Sequence, residues 1–212
     1  MGIMGKRRKI IRVTKIRKKS INGNERNNNK RYFVYIAIAL LLIVLTIDNS
    51  SAVIKRIYPL KYRELVFKYA YEYGIDPYLV FAVIKAESSF NPKAKSGKNA
   101  IGLMQITERT GMWGAETIGI EGFSKEDLYD PETNIRIGCW YIKQLMNEFS
   151  NRIDLVLAAY NGGSGNVSEW LKNVKYSKTG QELDVIPFRE TEMFVKKVKN
   201  YYQVYLKLYG EK

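Results

Sequence analysis

The chain has 212 residues, 46% of them hydrophobic and 26% charged, with a formal net charge of +14. The length suits one ordinary domain with an appendage, and the composition is that of a globular protein. The absence of histidine and the presence of one cysteine exclude Ser-His-Asp and Cys-His catalysis, the common histidine-based metal sites and an intramolecular disulfide.

The positive charge is concentrated at the N-terminus. Residues 1–31 contain twelve of the 35 Lys and Arg residues but one of the 21 acidic residues, so they carry +11 and the rest of the chain carries +3. This segment is rich in Asn and lacks apolar periodicity, which predicts a disordered arm. A nucleic-acid-binding function is disfavoured because the basic character lies in the arm, and no nucleic-acid partner is expected.

An apolar run without a charged residue follows, from Tyr32 to Ile47. It is slightly shorter than the roughly 17–25 residues of a typical membrane span. We predict a transmembrane signal anchor at 32–52, with a cytoplasmic arm and an extracytoplasmic domain because of the basic block before it. A signal peptide cleaved after Ala52, giving a secreted protein, is the alternative. A buried helix of a soluble domain is disfavoured because the run has no polar face.

Residues 53–59 are predicted to be a linker and residues 60–212 a helical domain without useful strands. Helices are predicted at 60–73, 77–88, from Asp130-Pro131 to Phe149, at 155–160 with Asp154 as the cap, and at 190–208. The Gly-rich and polar stretches 91–102 and 112–124 are predicted to be loops. Cys139 is predicted to be a small buried residue of the core.

Glu87 is a carboxylate on the apolar face of a predicted helix. It shares that face with Leu79, Val80, Val83 and Ile84. Burial and the negative end of the helix dipole both raise a carboxyl pKa, and a carboxylic acid that stays protonated near neutral pH suits a general acid. The alternative is a Glu that turns to solvent at a frayed helix end.

Other motifs follow Glu87 in order along the chain. The full set is Ala86-Glu-Ser-Ser-Phe-Asn-Pro92, Gly102-Leu-Met-Gln-Ile106, Asp130-Pro-Glu-Thr-Asn-Ile135, Ala159-Tyr-Asn-Gly-Gly163 and Glu190-Thr191. Each motif alone fits an ordinary structural role. Together, over residues 60–208, they resemble the lytic transglycosylase domain of the soluble, goose-lysozyme-like type.

The resemblance implies an all-α fold, α+β in the sense used for lysozymes, with a glycan groove, here preceded by one transmembrane helix. It implies that Glu87 is the catalytic acid and base, and that no metal and no cofactor take part. The implied substrate-binding residues are Ser96, Gln105, Tyr141, Tyr160, Asn161 and Glu190. Thr107 stands where many members have a methionine, and Phe194 stands where they have a tyrosine. These differences concern the contacts with sugar and do not affect the assignment of the catalytic acid.

The implied activity is cleavage of the β-1,4 bond between N-acetylmuramic acid and N-acetylglucosamine in peptidoglycan, with formation of 1,6-anhydromuramic ends. One residue would act as acid and then as base, whereas most glycosidases need two carboxylates. A muramidase that uses water and a non-catalytic wall-binding module are the alternatives. The expected partners are peptidoglycan strands and the membrane, and an association with other cell-wall or secretion machinery is left open.

Overall fold

The computed structural model describes residues 33–38 and 53–210. The chain divides into two units, Met1–Ile57 and Tyr58–Lys212. In the first unit, residues 33–38 and 53–57 are helical, so most of the predicted linker is helix. The predicted arm and all of the predicted membrane span except residues 33–38 lie outside the described residues. Within the described part, no helix combines the length and apolar character that crossing a membrane requires.

The described part of the second unit is built from α-helices and one short 3-10 helix. These are α1 (Arg63–Glu72), α2 (Pro77–Ser88), α3 (Glu108–Thr117), the 3-10 helix Lys125–Tyr129, α4 (Pro131–Glu148), α5 (Ile153–Gly162), α6 (Ser164–Lys172) and α7 (Arg189–Tyr209). Between α2 and α3, Ile101 forms isolated bridges with Lys95 and Ile106, and the residues described contain no strand. The predicted helical class is therefore confirmed for this part of the chain.

Helix α2 begins and ends as its sequence predicts. The Asp76 side chain accepts a hydrogen bond from Tyr78 N at 2.8 Å, and Pro77 occupies the first helical position. Residues 79–84 are buried in the core. Ser89, with a left-handed φ of 50°, ends the helix. Glu87 consequently lies in the last turn, at the edge of the core.

Helix α4 also begins at its predicted Asp-Pro pair. The Asp130 carboxylate accepts a hydrogen bond from Thr133 N at 2.8 Å, and the helix ends one residue before the predicted Phe149. Cys139 lies fully buried on this helix, as predicted, and burial raises the pKa of its thiol. It is therefore an inert packing residue.

The predicted loop at 112–124 is wrong in its first half, because residues 112–117 belong to α3. Gly114, which favours a loop by sequence, is a packing position: a Cβ there would lie 2.9 Å from Ile137 Cγ2 on α4. Gly111, one turn earlier, likewise leaves room for Phe123, whose ring would lie 2.8 Å from an added Cβ. Packing thus overrides a helix-propensity penalty of about 1 kcal/mol per glycine.

Two further differences concern the region around α5. Asp154 does not cap this helix. It lies in the first turn, where its carboxylate accepts a hydrogen bond from Lys199 Nζ at 2.9 Å, and Arg152 occupies the cap position. The sequence pattern also missed α6 and the 3-10 helix. Gly163, with φ at 89°, ends α5 and is at once the cap residue of α6, so one glycine separates two helices.

Helix α7 runs antiparallel to α2 and holds both of its ends. At the start of α2, Tyr202 Oη donates a hydrogen bond to Asp76 Oδ2 at 2.7 Å. At its end, Lys197 Nζ donates to the carbonyl of Ala86 at 2.8 Å. Between Asp76 and Ala86 on α2, the ring of Phe81 packs against that of Tyr205 with centroids 5.6 Å apart. Helix α7 thereby fixes the turn of α2 that carries Glu87.

Candidate active site

Glu87 is half-buried in the last turn of α2. Burial raises the pKa of its carboxyl from 4.5 to about 7; the Lys197 ammonium lowers this pKa and the Glu190 carboxylate raises it. A carboxyl that titrates near neutral pH can give a proton when protonated and take one when ionised. Glu87 therefore has the protonation behaviour of a group that acts as both acid and base.

Lys197 is a site residue that the sequence analysis missed. The Ala86 carbonyl that it contacts is one of the last four of α2, which lack partners within the helix. Its charge acts on Glu87 and also on Lys85, whose pKa is lowered by burial and by Lys197. The sequence does indicate which helix face carries Lys197: it follows Glu190 by seven residues on α7, so the two residues share one face of the helix.

The loop from Gly102 to Ile106 lies beside the end of α2. Three side chains from three helices bond to its backbone: Ser88 Oγ to the Leu103 carbonyl at 2.7 Å, Tyr160 Oη to the Met104 carbonyl at 2.7 Å, and Asn134 Oδ1 to Met104 N at 2.8 Å. Helices α2, α4 and α5 thus fix one loop next to Glu87. Hydrogen bonds of this kind connect the motifs that are separate in the sequence.

Asn134, which the sequence analysis did not single out, is the central residue of this arrangement. It is fully buried, and its Nδ2 donates to the carbonyls of Ile101 at 2.9 Å and Leu128 at 2.7 Å. Gly102 has a φ of 80°, and a Cβ on it would lie 2.2 Å from Asn134 Nδ2. The loop therefore requires glycine both for its backbone conformation and for the close approach of Asn134.

Ser96 and Gln105 bond to the backbone of their own loop segments. Ser96 Oγ accepts a hydrogen bond from Ala100 N at 3.0 Å. Gln105 has a left-handed φ of 51°, and its Nε2 donates to the carbonyls of Gly102 at 3.0 Å and Ala94 at 3.3 Å. These bonds give both residues a role in shaping the loop, and their role in binding a substrate stays a prediction.

Asn161 and Glu190 are linked through the Glu190-Thr191 pair at the start of α7. Thr191 is buried, and its hydroxyl donates to Asn161 Oδ1 at 2.9 Å. Glu190 Oε2 lies 2.8 Å from Lys98 Nζ in an exposed ion pair. Thr191 therefore orients the amide next to Tyr160, and Glu190 connects the 91–102 loop to α7.

Tyr141, Tyr160 and Phe194 form a row of aromatic rings. The Tyr160 centroid lies 5.5 Å from that of Tyr141 and 6.3 Å from that of Phe194, whose ring is nearly parallel at 7°. Burial, with the nearby Glu87 carboxyl, raises the pKa of the Tyr160 phenol. The phenol therefore stays protonated and able to donate.

The geometry brings together most of the predicted residues around Glu87. Glu87, Tyr160, Asn161 and Glu190 are joined by direct contacts or by electrostatic interaction, while Ser96 and Gln105 lie in the adjoining loop segments. In the ranges 33–38 and 53–210, no three Cys, Asp or Glu side chains are grouped so that they could hold a metal ion. The arrangement suits acid–base chemistry by Glu87.

Comparisons with known proteins relate this geometry to a family. Residues 64–182, more than half of the chain, match the transglycosylase SLT domain. The soluble lytic murein transglycosylase of Escherichia coli K12 is 37% identical over 157 residues, which are 73% of this chain and 24% of that protein. The membrane-bound lytic murein transglycosylase C of Serratia proteamaculans is 37% identical over 123 residues, which are 50% of this chain and 32% of that protein.

Solved structures show the same likeness. The 70-kDa soluble lytic transglycosylase of Escherichia coli has a TM-score of 0.66 and 34% identity, covering 74% of this chain and 26% of that chain. An inactive glutamate-to-glutamine mutant of the lytic transglycosylase Slt of Pseudomonas aeruginosa has a TM-score of 0.64 and 31% identity, covering 73% and 25%. The chain thus spans about a quarter of the length of its Escherichia coli relative.

Proposed function

The chain belongs to the transglycosylase SLT domain family, and from this premise we propose that it is a lytic transglycosylase of peptidoglycan. The proposed reaction cleaves the β-1,4 bond between N-acetylmuramic acid and N-acetylglucosamine and leaves a 1,6-anhydromuramic end. Similar proteins named lytic murein transglycosylases support this proposal, as does a solved complex of the 70-kDa enzyme with bulgecin A.

The observation that carries the proposal is the environment of Glu87. Its half-buried carboxyl has a pKa of about 7, set by burial and by opposing charges on α7. A group that must donate a proton and then accept one works best when its pKa lies near the working pH. The inactive glutamate-to-glutamine mutant of the Pseudomonas enzyme supports the view that activity in this family depends on a glutamate.

In the proposed reaction, Glu87 donates its proton to the glycosidic oxygen, and the bond from that oxygen to C1 of N-acetylmuramic acid breaks. The acetamido group of the same sugar stabilises the positive charge at C1. The Glu87 carboxylate then takes the proton of the C6 hydroxyl, whose oxygen bonds to C1 and closes the anhydro ring. No water is consumed, and Glu87 is protonated again at the end.

The surrounding residues are assigned supporting roles. Tyr160 and Asn161 orient the sugars next to the scissile bond. The side chains of Ser96, Gln105, Tyr141 and Glu190 line the groove. The Lys197 ammonium stabilises Glu87 while it is ionised, since opposite charges lower each other's energy at close range. The second carboxylate, Glu190, is paired with Lys98 and orients sugar without taking part in proton transfer.

Digestion of purified peptidoglycan by the full chain tests the proposal. We expect products whose muramic ends are lighter by one water than hydrolysis products, as measured by mass spectrometry. Glu87→Gln should abolish cleavage and keep the fold, while Glu192→Gln, a change to a half-buried acid in the first turn of α7 that pairs with Lys196, should retain full activity. Full activity of the Glu87→Gln variant would overturn the assignment.

Two other outcomes separate the alternatives. Products with ordinary reducing ends would indicate a muramidase that uses water. Binding to peptidoglycan without cleavage by the wild-type protein would indicate a wall-binding module.

We further propose that residues 32–52 anchor the protein in the cell membrane with its catalytic domain outside. The basic residues 1–31 and the uncharged run from Tyr32 to Ile47 support this topology. Several similar proteins are named as membrane-bound, which is consistent with it. The mass of the mature protein is the test: an intact chain supports the anchor, and loss of residues 1–52 indicates a cleaved signal peptide.

A further inference from the structure

The side chain of Trp113 on α3 has no role in the mechanism described above, yet it is half exposed. Its exposed fraction is 51%, against 3% for Trp140 and 7% for Trp170, the other two tryptophans of the chain. Exposing a large aromatic side chain sacrifices the favourable free energy of its burial. An exposed tryptophan next to a candidate site is therefore a candidate binding group.

The indole of Trp113 is held in place by neighbouring rings. Its centroid lies 4.7 Å from that of Trp140 in an edge-on arrangement at 79°, and 6.4 Å from that of Tyr141. The close approach of α3 to α4 at Gly114 makes these contacts possible, since a Cβ there would lie 3.0 Å from the Trp140 ring. A ring fixed in this way loses little conformational entropy when a ligand stacks on it.

The position of Trp113 continues the aromatic row of the active site. Trp113 contacts Tyr141, Tyr141 contacts Tyr160 with centroids 5.5 Å apart, and the Tyr160 phenol interacts with Glu87. The row thus runs from the proposed catalytic acid to an exposed ring at the surface. A strand that is cleaved at Glu87 and follows these rings would reach Trp113.

Polar groups line a cavity whose lining includes Met112, the residue directly before Trp113 on α3. The cavity, of about 540 Å³, is lined by residues of α3 and of the preceding loops: Lys98, Asn99, Thr107, Glu108, Arg109 and Met112. Arg109 is one turn before Trp113 on the same helix face, and Lys98 is the ion-pair partner of Glu190. Amide and cationic donors beside an aromatic face are what an acetamido sugar with a lactyl carboxylate requires.

We propose that Trp113 is a stacking platform for an N-acetylated sugar ring of the glycan strand, away from the scissile bond. The platform rests on the proposed function, because its occupant is the strand that Glu87 cleaves. The flat face of the indole packs against the apolar C–H face of the sugar, while the donors of the adjoining cavity bind its substituents. Longer strands, which reach the platform, bind more tightly than short ones.

Tryptophan fluorescence tests this directly. In the full chain carrying Glu87→Gln, which binds without cleaving, Trp113 is the tryptophan that acrylamide can reach. We expect β-1,4-linked N-acetylglucosamine oligomers and isolated peptidoglycan glycan strands to protect it from quenching, with protection increasing with length. Quenching that stays unchanged when these ligands are bound would overturn the proposal.

Cleavage kinetics provide the second measurement. Trp113→Ala should raise KM for long strands roughly tenfold, the size of one lost aromatic contact, with kcat changed less than twofold. Trp113→Phe should raise KM less than Trp113→Ala does. Tyr71→Ala, which changes an exposed aromatic residue on α1, should leave KM unchanged. An unchanged KM for Trp113→Ala in an enzyme that still cleaves would reject the platform alone. Failure of the wild-type chain to bind or cleave would reject the proposed function itself.

Discussion

The ammonium group of Lys197 donates a hydrogen bond to the backbone carbonyl of Ala86, at 2.8 Å, directly before Glu87. This contact satisfies an otherwise unpaired carbonyl at the end of α2 and places a positive charge next to the carboxyl. Burial and Glu190 raise the pKa of Glu87, while Lys197 lowers it. The pKa of about 7 is therefore a balance to which α7 contributes both charges.

Lys197→Met should shift the pH profile of cleavage. Loss of the ammonium removes the influence that lowers the pKa of Glu87, so the protonated acid persists to higher pH. We expect the alkaline limb of kcat/KM to move up by on the order of 0.5 to 1 pH unit. Glu190, Tyr160 and Lys85 still face or neighbour the carboxyl in this variant.

Two controls separate charge from packing. Lys197→Arg keeps the positive charge and should keep the wild-type profile. Lys196→Met removes an exposed lysine that pairs with Glu192, and it should not move the alkaline limb. Identical profiles for Lys197→Met and Lys196→Met would show that Lys197 does not tune the acid.

Glu87→Gln should stabilise the fold above neutral pH. Because the folded pKa of about 7 exceeds the ordinary value of 4.5, the contribution of Glu87 to stability is fully present below about pH 4.5 and is lost as the pH rises through about 7. Gln cannot ionise. Between pH 4.5 and pH 8, the free energy of unfolding of the variant should therefore rise relative to that of the wild type by on the order of 2–3 kcal/mol. Urea unfolding at both pH values measures this difference, and parallel stabilities at the two pH values would contradict it.

Thr191→Val should impair cleavage more than it impairs folding. The buried Thr191 hydroxyl fixes the Asn161 amide, and valine keeps the shape of the side chain but not the hydrogen bond. We expect kcat to fall about tenfold, with a loss of about 1 kcal/mol in unfolding free energy. Thr191→Ser keeps the hydroxyl and should retain most of kcat. Equal kcat in the two variants would mean that Asn161 needs no such support.

Gly102→Ala should destabilise the protein by about 2–4 kcal/mol, because the left-handed backbone is strained for alanine and the new Cβ would overlap Asn134. Gly97→Ala is the matched control in the same region. Its Cβ meets nothing within 4 Å, so the expected change is within about 0.5 kcal/mol. Thermal or urea unfolding compares the two, and similar losses would indicate that the contact with Asn134 is unimportant.

The part of the site that follows from local pattern could be predicted from the sequence. The Asp76-Pro77 start and the apolar face of α2 place Glu87 correctly in the last turn, because cap and periodicity act over a few residues. Periodicity places Lys197 on the helix face of Glu190, but its contact with Ala86 could not be predicted in this way, since the two residues are 111 positions apart and meet only through packing of α7 on α2.

Glycine was the other source of error. The glycines of residues 112–124 favour a loop by composition, but Gly114 lies where α3 packs closely against α4. Some glycines end a helix, and others allow two helices to pack closely. The sequence does not distinguish these two roles, because the residue is the same in both. The same ambiguity hid α6, which begins directly after Gly163.

Because α7 contacts both ends of α2, the surroundings of Glu87 depend on a helix far from it in the sequence. A growing or clipped chain that ends before Arg189 contains Glu87 but lacks Lys197, Glu190 and the covering helix. In such a chain the two α7 charges that act on the pKa of Glu87 would both be missing. The protonation behaviour of Glu87 is therefore a property of the packed pair of helices, and the motif around Glu87 alone does not set it.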